Sequence, residues 1–306
     1  MHLSETSSNR RAVRSAFDRA AASYDAAASL QQEVARRLDE RLTMMKLAPK
    51  AILDAGCGTG QALPMLRARY PQASLFALDL AANMLKQARA VLPEPSVLSR
   101  VSGLVGLTRP APAATLVCAD IEQLPLARNS LDMVWSNLAL QWMDGLEGAF
   151  REMYRALKPE GLVLFSSFGP DTLRELRSAF AGLDGYGHVN RFVDMHDIGD
   201  MLVYAGFKNP VMEMEYLTLT YTELKALLRE LKAIGAHTVT QGRRHGLMGR
   251  AQWRQFEQNY ERFRRDGRLP ATYEIIYGHA WAGPKDRLDD GRQVIQMKIS
   301  NRKAGL

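Results

Sequence analysis

The stretch Ala51-Ile52-Leu53-Asp54-Ala55-Gly56-Cys57-Gly58-Thr59-Gly60 decides how the rest of the chain is read. A short apolar run stops at an acid and a glycine-rich turn, the pattern of a buried parallel strand. A helix follows through Leu63, Leu66 and Tyr70. Glycines let the backbone approach a ligand closely, and the N-terminus of the following helix adds unpaired N–H groups. Ser74-Leu75-Phe76-Ala77-Leu78-Asp79 repeats the design, with Asn83 to Val91 as its crossover helix. Two strand-turn-helix units in series predict an α/β fold with a doubly wound, mostly parallel sheet.

Working outward, three further strands are expected at Thr115–Ala119, Leu131–Ser136 and Leu162–Phe168, with a helix at Leu146–Leu157 that Lys158-Pro159-Glu160-Gly161 ends. Helices at Thr172–Leu183 and Asp194–Ala205 precede a strand at Val211–Thr220. Helices at Thr222–Ile234 and Arg250–Arg265 then lead to an alternating run, Thr272–Trp281, that reads as a final antiparallel strand, bringing the sheet to seven strands. Before the glycine turn, Val13, Phe17, Ala20 and Tyr24, then Leu30, Val34, Leu38 and Leu42, recur at helical spacing and predict two helices. Pro93, Pro95, Pro110 and Pro112 bracket an insertion whose middle, Val97 to Leu107, has the composition of a short helix or strand. The division expected is N-terminal helices over 1–48, a main domain over 49–283 with helical additions at about 170–270, and a tail over 284–306 in which Val294–Ile299 is either a strand or loose.

The 306 residues carry a net charge of +7, with the excess partly in Arg243, Arg244, Arg250, Arg254, Arg262, Arg264, Arg265 and Arg268. Such a stretch is either a solvated helix face or a surface for an acidic partner. The interleaved Trp253, Phe256, Tyr260 and Phe263 are spaced as a helix buries them against a core, which argues against base stacking and nucleic acid. No run of about 18 apolar residues suggests a membrane span, and MHLSETSSNR lacks the apolar centre of a secretory signal, so a cytoplasmic protein is expected. Cys57 and Cys118 then read as free thiols. His188 and His196 lack a metal-ligand pattern, His237 and His245 sit in polar sequence, and no metal is expected.

The dinucleotide fingerprint Gly-x-Gly-x-x-Gly/Ala fails in both registers, with Gln61 or Leu63 at the third position, so hydride transfer is disfavoured. Asp79 ends the second strand, where a carboxylate can accept hydrogen bonds from two ribose hydroxyls. Asp120 follows the third strand and could accept from an adenine amino group, with the Ile121 backbone nearby. Asn137 follows the fourth. Each acid alone could be a helix cap, but their coincidence at successive strand ends points to one ligand crevice.

As a set, Asp54-x-Gly56-x-Gly58-x-Gly60, Asp79 and Asp120-Ile121-Glu122-x-Leu124-Pro125 followed by Asp132-Met133-Val134 resemble the class I S-adenosylmethionine (SAM)-dependent methyltransferases over about Ala51 to Phe168. The resemblance implies that Asp54, Gly56, Gly58 and Gly60 surround the amino-acid end of SAM, that Asp79 with Leu80 holds the ribose and that Asp120 with Ile121 holds the adenine, Asn137 closing the crevice. A closer resemblance covers most of the chain. Val13-x-x-x-Phe17-x-x-Ala20-x-x-Tyr24, Ser136-Asn137-Leu138-Ala139-Leu140-Gln141-Trp142, Asn190-Arg191-Phe192, Leu231-Lys232-x-Ile234-Gly235-Ala236 and Thr272-Tyr273 are similar to the malonyl-acyl-carrier-protein O-methyltransferases of biotin synthesis.

That family implies methylation of a malonyl carboxylate on an acidic carrier protein, with S-adenosylhomocysteine as the second product. The acceptor is ionised at neutral pH and needs no general base, so no acid–base catalytic residue is expected. A cation has to hold the acceptor: Arg191 is the first candidate and Lys232 the second, unless Arg191 instead pairs with Asp194 or Asp197. Phe17 and Tyr24 are expected on one side of an N-terminal helix, as a lid or as plain packing, and Gln141 and Trp142 as walls of the transfer chamber. A monomer is expected, and the basic segment around Arg250 and Arg254 is a candidate docking surface for the carrier. A rival resemblance, through Phe168-Gly169-x-Asp171-Thr172-Leu173-x-Glu175-Leu176-Arg177 and Pro270-Ala271-Thr272-Tyr273, is to mitochondrial complex I assembly proteins, which implies a methyltransferase-like protein hydroxylase. The same residues also admit a methyltransferase of another small carboxylic acid and a noncatalytic SAM-binding protein.

Overall fold

Strand β1 (Ala51–Ala55) lies in the middle of a sheet because both its faces are apolar: Ile52 and Leu53 point to opposite sides and both are fully buried. The computed structural model describes residues 3–92, 114–235 and 248–283. Around β1 run β2 (Ser74–Asp79), β3 (Thr115–Cys118), β4 (Leu131–Ser136) and β5 (Leu157–Phe168), all parallel, then β6 (Phe207–Tyr221) and β7 (Leu269–Ala282), which join antiparallel. The order is β3-β2-β1-β4-β5-β7-β6. From β1 the chain moves outward through β2 and β3, then crosses back to β4 on the other side of β1. That reversal opens a crevice at the carboxyl ends of β1 and β4, the place where open α/β sheets hold ligands.

The helices are α1 (Leu3–Ala20), α2 (Tyr24–Ala27), α3 (Ser29–Leu42), α4 (Leu63–Arg69), α5 (Ala82–Val91), α6 (Leu146–Ala156), α7 (Arg174–Phe180), α8 (Met195–Tyr204), α9 (Leu224–Ala233) and α10 (Arg250–Glu261). Strand alternation sorts them into two layers. Ile52, Met133, Trp135, Leu162 and Leu164 meet Val34, Leu38 and Leu42 of α3 together with α7, α9 and α10. Leu53, Val134, Val163 and Phe165 meet Phe150 and Met153 of α6 and Ile198 and Leu202 of α8. Each such fully buried side chain contributes about 1.5–3 kcal/mol, so α3 is fastened to the sheet as firmly as the crossover helices.

The N-terminal segment forms three helices where the spacing predicted two. Ser23 N–H bonds back to the Ala20 carbonyl at 2.9 Å, which closes α1 and turns the chain, so Phe17 and Tyr24 stand on different helices. Lys158-Pro159-Glu160-Gly161 does not simply stop α6. It lies within β5 as a bulge: Leu131 pairs with Leu157, Met133 with Leu162, and Glu160 takes a φ of 62°. Pro159 lacks the N–H a regular ladder would need, which suits it to that place. Helix α10 ends at Glu261, short of the expected Arg265, because Arg265 and Arg268 pair across a turn that starts β7. The 97–107 segment, the 294–299 run, Arg243, Arg244, His237 and His245 lie outside the described residues. No helix among the described residues is long and apolar enough to cross a membrane.

Candidate active site

The glycine turn sits between β1 and α4 because its backbone does what side-chain-bearing residues resist. Gly56 has φ +78°, and a Cβ there would fall 2.3 Å from the Cβ of Ala139. Gly58 has φ +54°, and a Cβ there would meet nothing within 4 Å, so its bare backbone faces open space. Gly60 lies outside the crevice, packed on Ala88 of α5.

A cleft of about 590 Å³ opens over this turn, within the size range of small-molecule sites. Gly56, Gly58, Asp79, Leu80, Asp120, Ile121 and Asn137 line it from the strand ends, and Phe17, Tyr24 and Trp142 from above. A second cavity of about 400 Å³ adjoins it, sharing Tyr24, Gly56, Gly58 and Asn137 and adding Asp54, Gln31 and Thr59. The aromatic wall is one unit: Phe17 meets Trp142 edge-on at 5.2 Å and Tyr24 at 6.5 Å. Asn137 joins the two cavities, its amide donating to the Gln31 carbonyl at 3.0 Å and its oxygen accepting from the Ser166 hydroxyl at 2.8 Å.

The acids divide by what they hold. Asp79 accepts from the Gly58 N–H at 2.9 Å and the Ala81 N–H at 2.8 Å, so it fixes the turn and the start of α5 together. Burial outweighs these bonds and lifts its carboxyl to about 6. Asp54, 2% exposed, has an Oδ2 with no hydrogen-bond partner among the described residues, and burial, with the Asp79 charge second, pushes it up to about 8. Tyr24 is held as a phenol by burial and by the nearby Asp79 and Asp25. Asp120 is a cap after all, its Oδ1 accepting from the Glu122 N–H at 2.9 Å. It also pairs with Arg10 of α1 at 2.9 Å, while the same guanidinium reaches Glu122.

Of the four expected acceptor residues Trp142 is in this lining and the other three stand apart from it. Gln141 turns its amide onto the Leu138 carbonyl at 2.6 Å. Arg191 is exposed before α8 and pairs with neither Asp194, which caps that helix and holds His196, nor Asp197; its neighbour Phe192 packs edge-on against Phe168 at 5.5 Å. Lys232 is exposed near the end of α9. Sequence reading missed Arg10, Asp25, Gln31 and Thr59. Thr59 was legible from its place in the glycine turn, whereas Arg10, Asp25 and Gln31 arrive from distant helices and carry no local signal.

An unpaired buried carboxylate oxygen, an open backbone at Gly58 and an acid that already gathers the turn's N–H groups suit a cationic amino acid joined to a nucleoside. A family profile described as "Methyltransferase domain" matches residues 53–165. Fold and site together define a class I SAM-dependent methyltransferase. Solved structures agree on the fold: a Bacillus halodurans protein assigned as a methyltransferase superposes with TM-score 0.53 at 19% identity over 80% of this chain and 98% of its own. YcgJ of Bacillus subtilis gives 0.51 at 13% identity over 80% and 97%. Two relatives, from Laribacter hongkongensis and Gallionella capsiferriformans, are 55% and 54% identical over 93% and 94% of this chain and 94% and 96% of their own, and both are named malonyl-[acyl-carrier protein] O-methyltransferase. The chain belongs to that O-methyltransferase family.

The raised carboxyls give the cleft a pH signature. Ionised Asp54 and Asp79 favour a cationic ligand, so SAM affinity is expected to climb as pH rises from about 6 to about 8, with proton uptake by buffer on binding. The free protein has the opposite slope: a carboxyl whose folded pKa lies above its unfolded value costs stability as pH rises from about 4 to the folded value, about 6 for Asp79 and about 8 for Asp54. Calorimetric titration in buffers of different ionisation enthalpy measures the released protons. An Asp54→Asn variant with an unchanged pH profile would remove Asp54 from this role.

Proposed function

We propose that this chain transfers a methyl group from SAM to the free carboxylate of a malonyl group carried on acyl carrier protein, giving the methyl ester that starts the acyl chain of biotin. The observation that carries this reading is the identity of 52–55% to four relatives of that name over about nine tenths of the chain. The aromatic cap supports it, because a cleft closed by Phe17, Tyr24 and Trp142 excludes water from the acceptor.

Asp54 and the glycine turn would hold the amino-acid end of the cofactor, Asp79 with Leu80 the ribose, Asp120 with Ile121 the adenine, and Asn137 the floor between the two cavities. Bound there, SAM supplies an electrophilic methyl group on a sulfonium. The acceptor carboxylate arrives ionised, so the protein's part is alignment and dehydration, with no proton to move. Arg191 remains the first candidate to hold the acceptor and Lys232 the second, both exposed here, with Gln141 and Trp142 as candidate walls of the chamber. We place the enzyme in the cytoplasm as a monomer, with residues 1–48 acting as the lid, 49–283 as the transferase domain and 284–306 as a tail.

Incubation with SAM and malonyl-acyl carrier protein, read by intact-mass spectrometry, is expected to show one added methyl group on the carrier. No product in the presence of demonstrated SAM binding would overturn the acceptor assignment. Arg191→Ala is expected to raise KM for the malonyl carrier by about tenfold, the cost of a charge-assisted bond. SAM affinity should be unchanged, and unaltered acceptor kinetics would rule Arg191 out.

A further inference from the structure

A substrate tethered to a protein by a thioester enters a cleft only if the carrier itself settles at the mouth, so the enzyme needs a docking face beside the aromatic cap. Helix α9 provides one. Its inner side buries Leu224, Leu227 and Leu231, and its single acid, Glu230, is turned inward to accept from the Tyr221 hydroxyl at 2.8 Å. What remains outside is Lys225, Arg229 and Lys232, spaced four and three residues apart so that they share one face, all three exposed. Among the described residues none of the three has a carboxylate partner, and Arg229 bonds there only to the Lys225 carbonyl, at 3.2 Å.

The end of α9 is fixed to the lid. A Cβ at Gly235 would lie 3.2 Å from Ala20 and 3.4 Å from the Phe17 ring, and the Ser23 hydroxyl donates to the Ala233 carbonyl at 3.1 Å. Phe17 and Tyr24, on either side of that junction, line the cleft. Arg19, exposed in the last turn of α1, adds a fourth cation there. Arg250 and Arg254 are exposed as well, on α10, which packs on α7 through Phe256 stacked on Phe180.

We infer that the outer face of α9, led by Lys225 and Arg229, is the docking surface for the acidic carrier protein, and that it seats the carrier against the lid junction. This rests on the acceptor assignment above and goes further by naming the surface. Unpaired cations on a rigid helix steer an acidic partner and set its orientation with little cost in desolvation. The same face is superfluous for a small acceptor.

The test is kcat/KM of Lys225→Glu/Arg229→Glu on malonyl-acyl carrier protein and on a small, uncharged-tail malonyl thioester, across a salt series. The expected result is a loss of about tenfold on the carrier substrate at low salt, shrinking as salt rises, with the small thioester unaffected. Equal losses on both substrates, or no loss on either, would overturn the docking face. Arg250→Glu/Arg254→Glu is expected to leave both substrates near the parent values, and a carrier-specific loss there instead would move the surface to α10. Failure of the parent enzyme to methylate the carrier at all would sink the acceptor assignment, a result separable from every outcome above.

Discussion

Asp79→Ala is expected to raise the Kd for SAM by about 100-fold or more, with the fold intact. The carboxylate offers two acceptors to a ribose, and a hydrogen bond to a charged group is worth about 1.5–3 kcal/mol. Two such bonds account for about 3–6 kcal/mol, a factor of at least about a hundred in affinity. The side chain also receives the N–H groups of Gly58 and Ala81, so its removal frees the turn that the cofactor would meet. Asp79→Asn keeps the shape and one acceptor and should fall between parent and Ala. Calorimetric binding measures the ratio, and circular dichroism checks the fold. A Kd within threefold of the parent's for Asp79→Ala would exclude Asp79 as the ribose ligand.

The second large effect separates two glycines two residues apart. Gly56→Ala is expected to destabilise the protein by about 2–5 kcal/mol, from a left-handed backbone that resists a Cβ and from overlap with Ala139 of a kind that costs about 1–3 kcal/mol. Gly58→Ala carries only the backbone cost, about 1–2 kcal/mol, because its Cβ points into open space. That space is the cleft, so Gly58→Ala should lose SAM affinity while staying close to parent stability. Denaturant unfolding with and without SAM distinguishes them. Equal stability of the two variants would show that the contact at Ala139 relaxes freely.

The core of the fold was legible because its signals are local. A strand that ends in Asp54 and a glycine turn announces itself over ten residues, and the second strand repeats the device at Asp79. Leu131–Ser136 and Ser74–Asp79 came out with their predicted ends, since acids and turn residues flank them sharply. Boundaries slipped where tertiary pairing extends an element: β6 and β7 run beyond their alternating centres because Tyr221 pairs with Leu269 across the hairpin-like contact of two long strands. Pro159 and Gly161 read as a stop, yet a strand can absorb both in a bulge when its neighbour Asp132 anchors Lys158 at 2.7 Å. In the site, positions at strand ends were found, and Phe17 and Tyr24 by their helical spacing, whereas Arg10, Asp25 and Gln31 of α1 to α3 were not. Arg10 meets Asp120 across 110 residues of sequence, and no spacing rule reaches that far.

One carboxylate ties the roof of the cleft to its floor. Asp25 of α2 accepts from the Thr59 hydroxyl at 2.5 Å and from the Gln61 amide at 2.7 Å, both through the same oxygen. The cap is therefore not a flap hinged apart from the glycine turn. Lifting it breaks two bonds to a charged acceptor, about 3 kcal/mol together, which keeps the raised form to less than about one molecule in a hundred at rest. Any entry into the cleft that lifts the cap has first to part Asp25 from the turn.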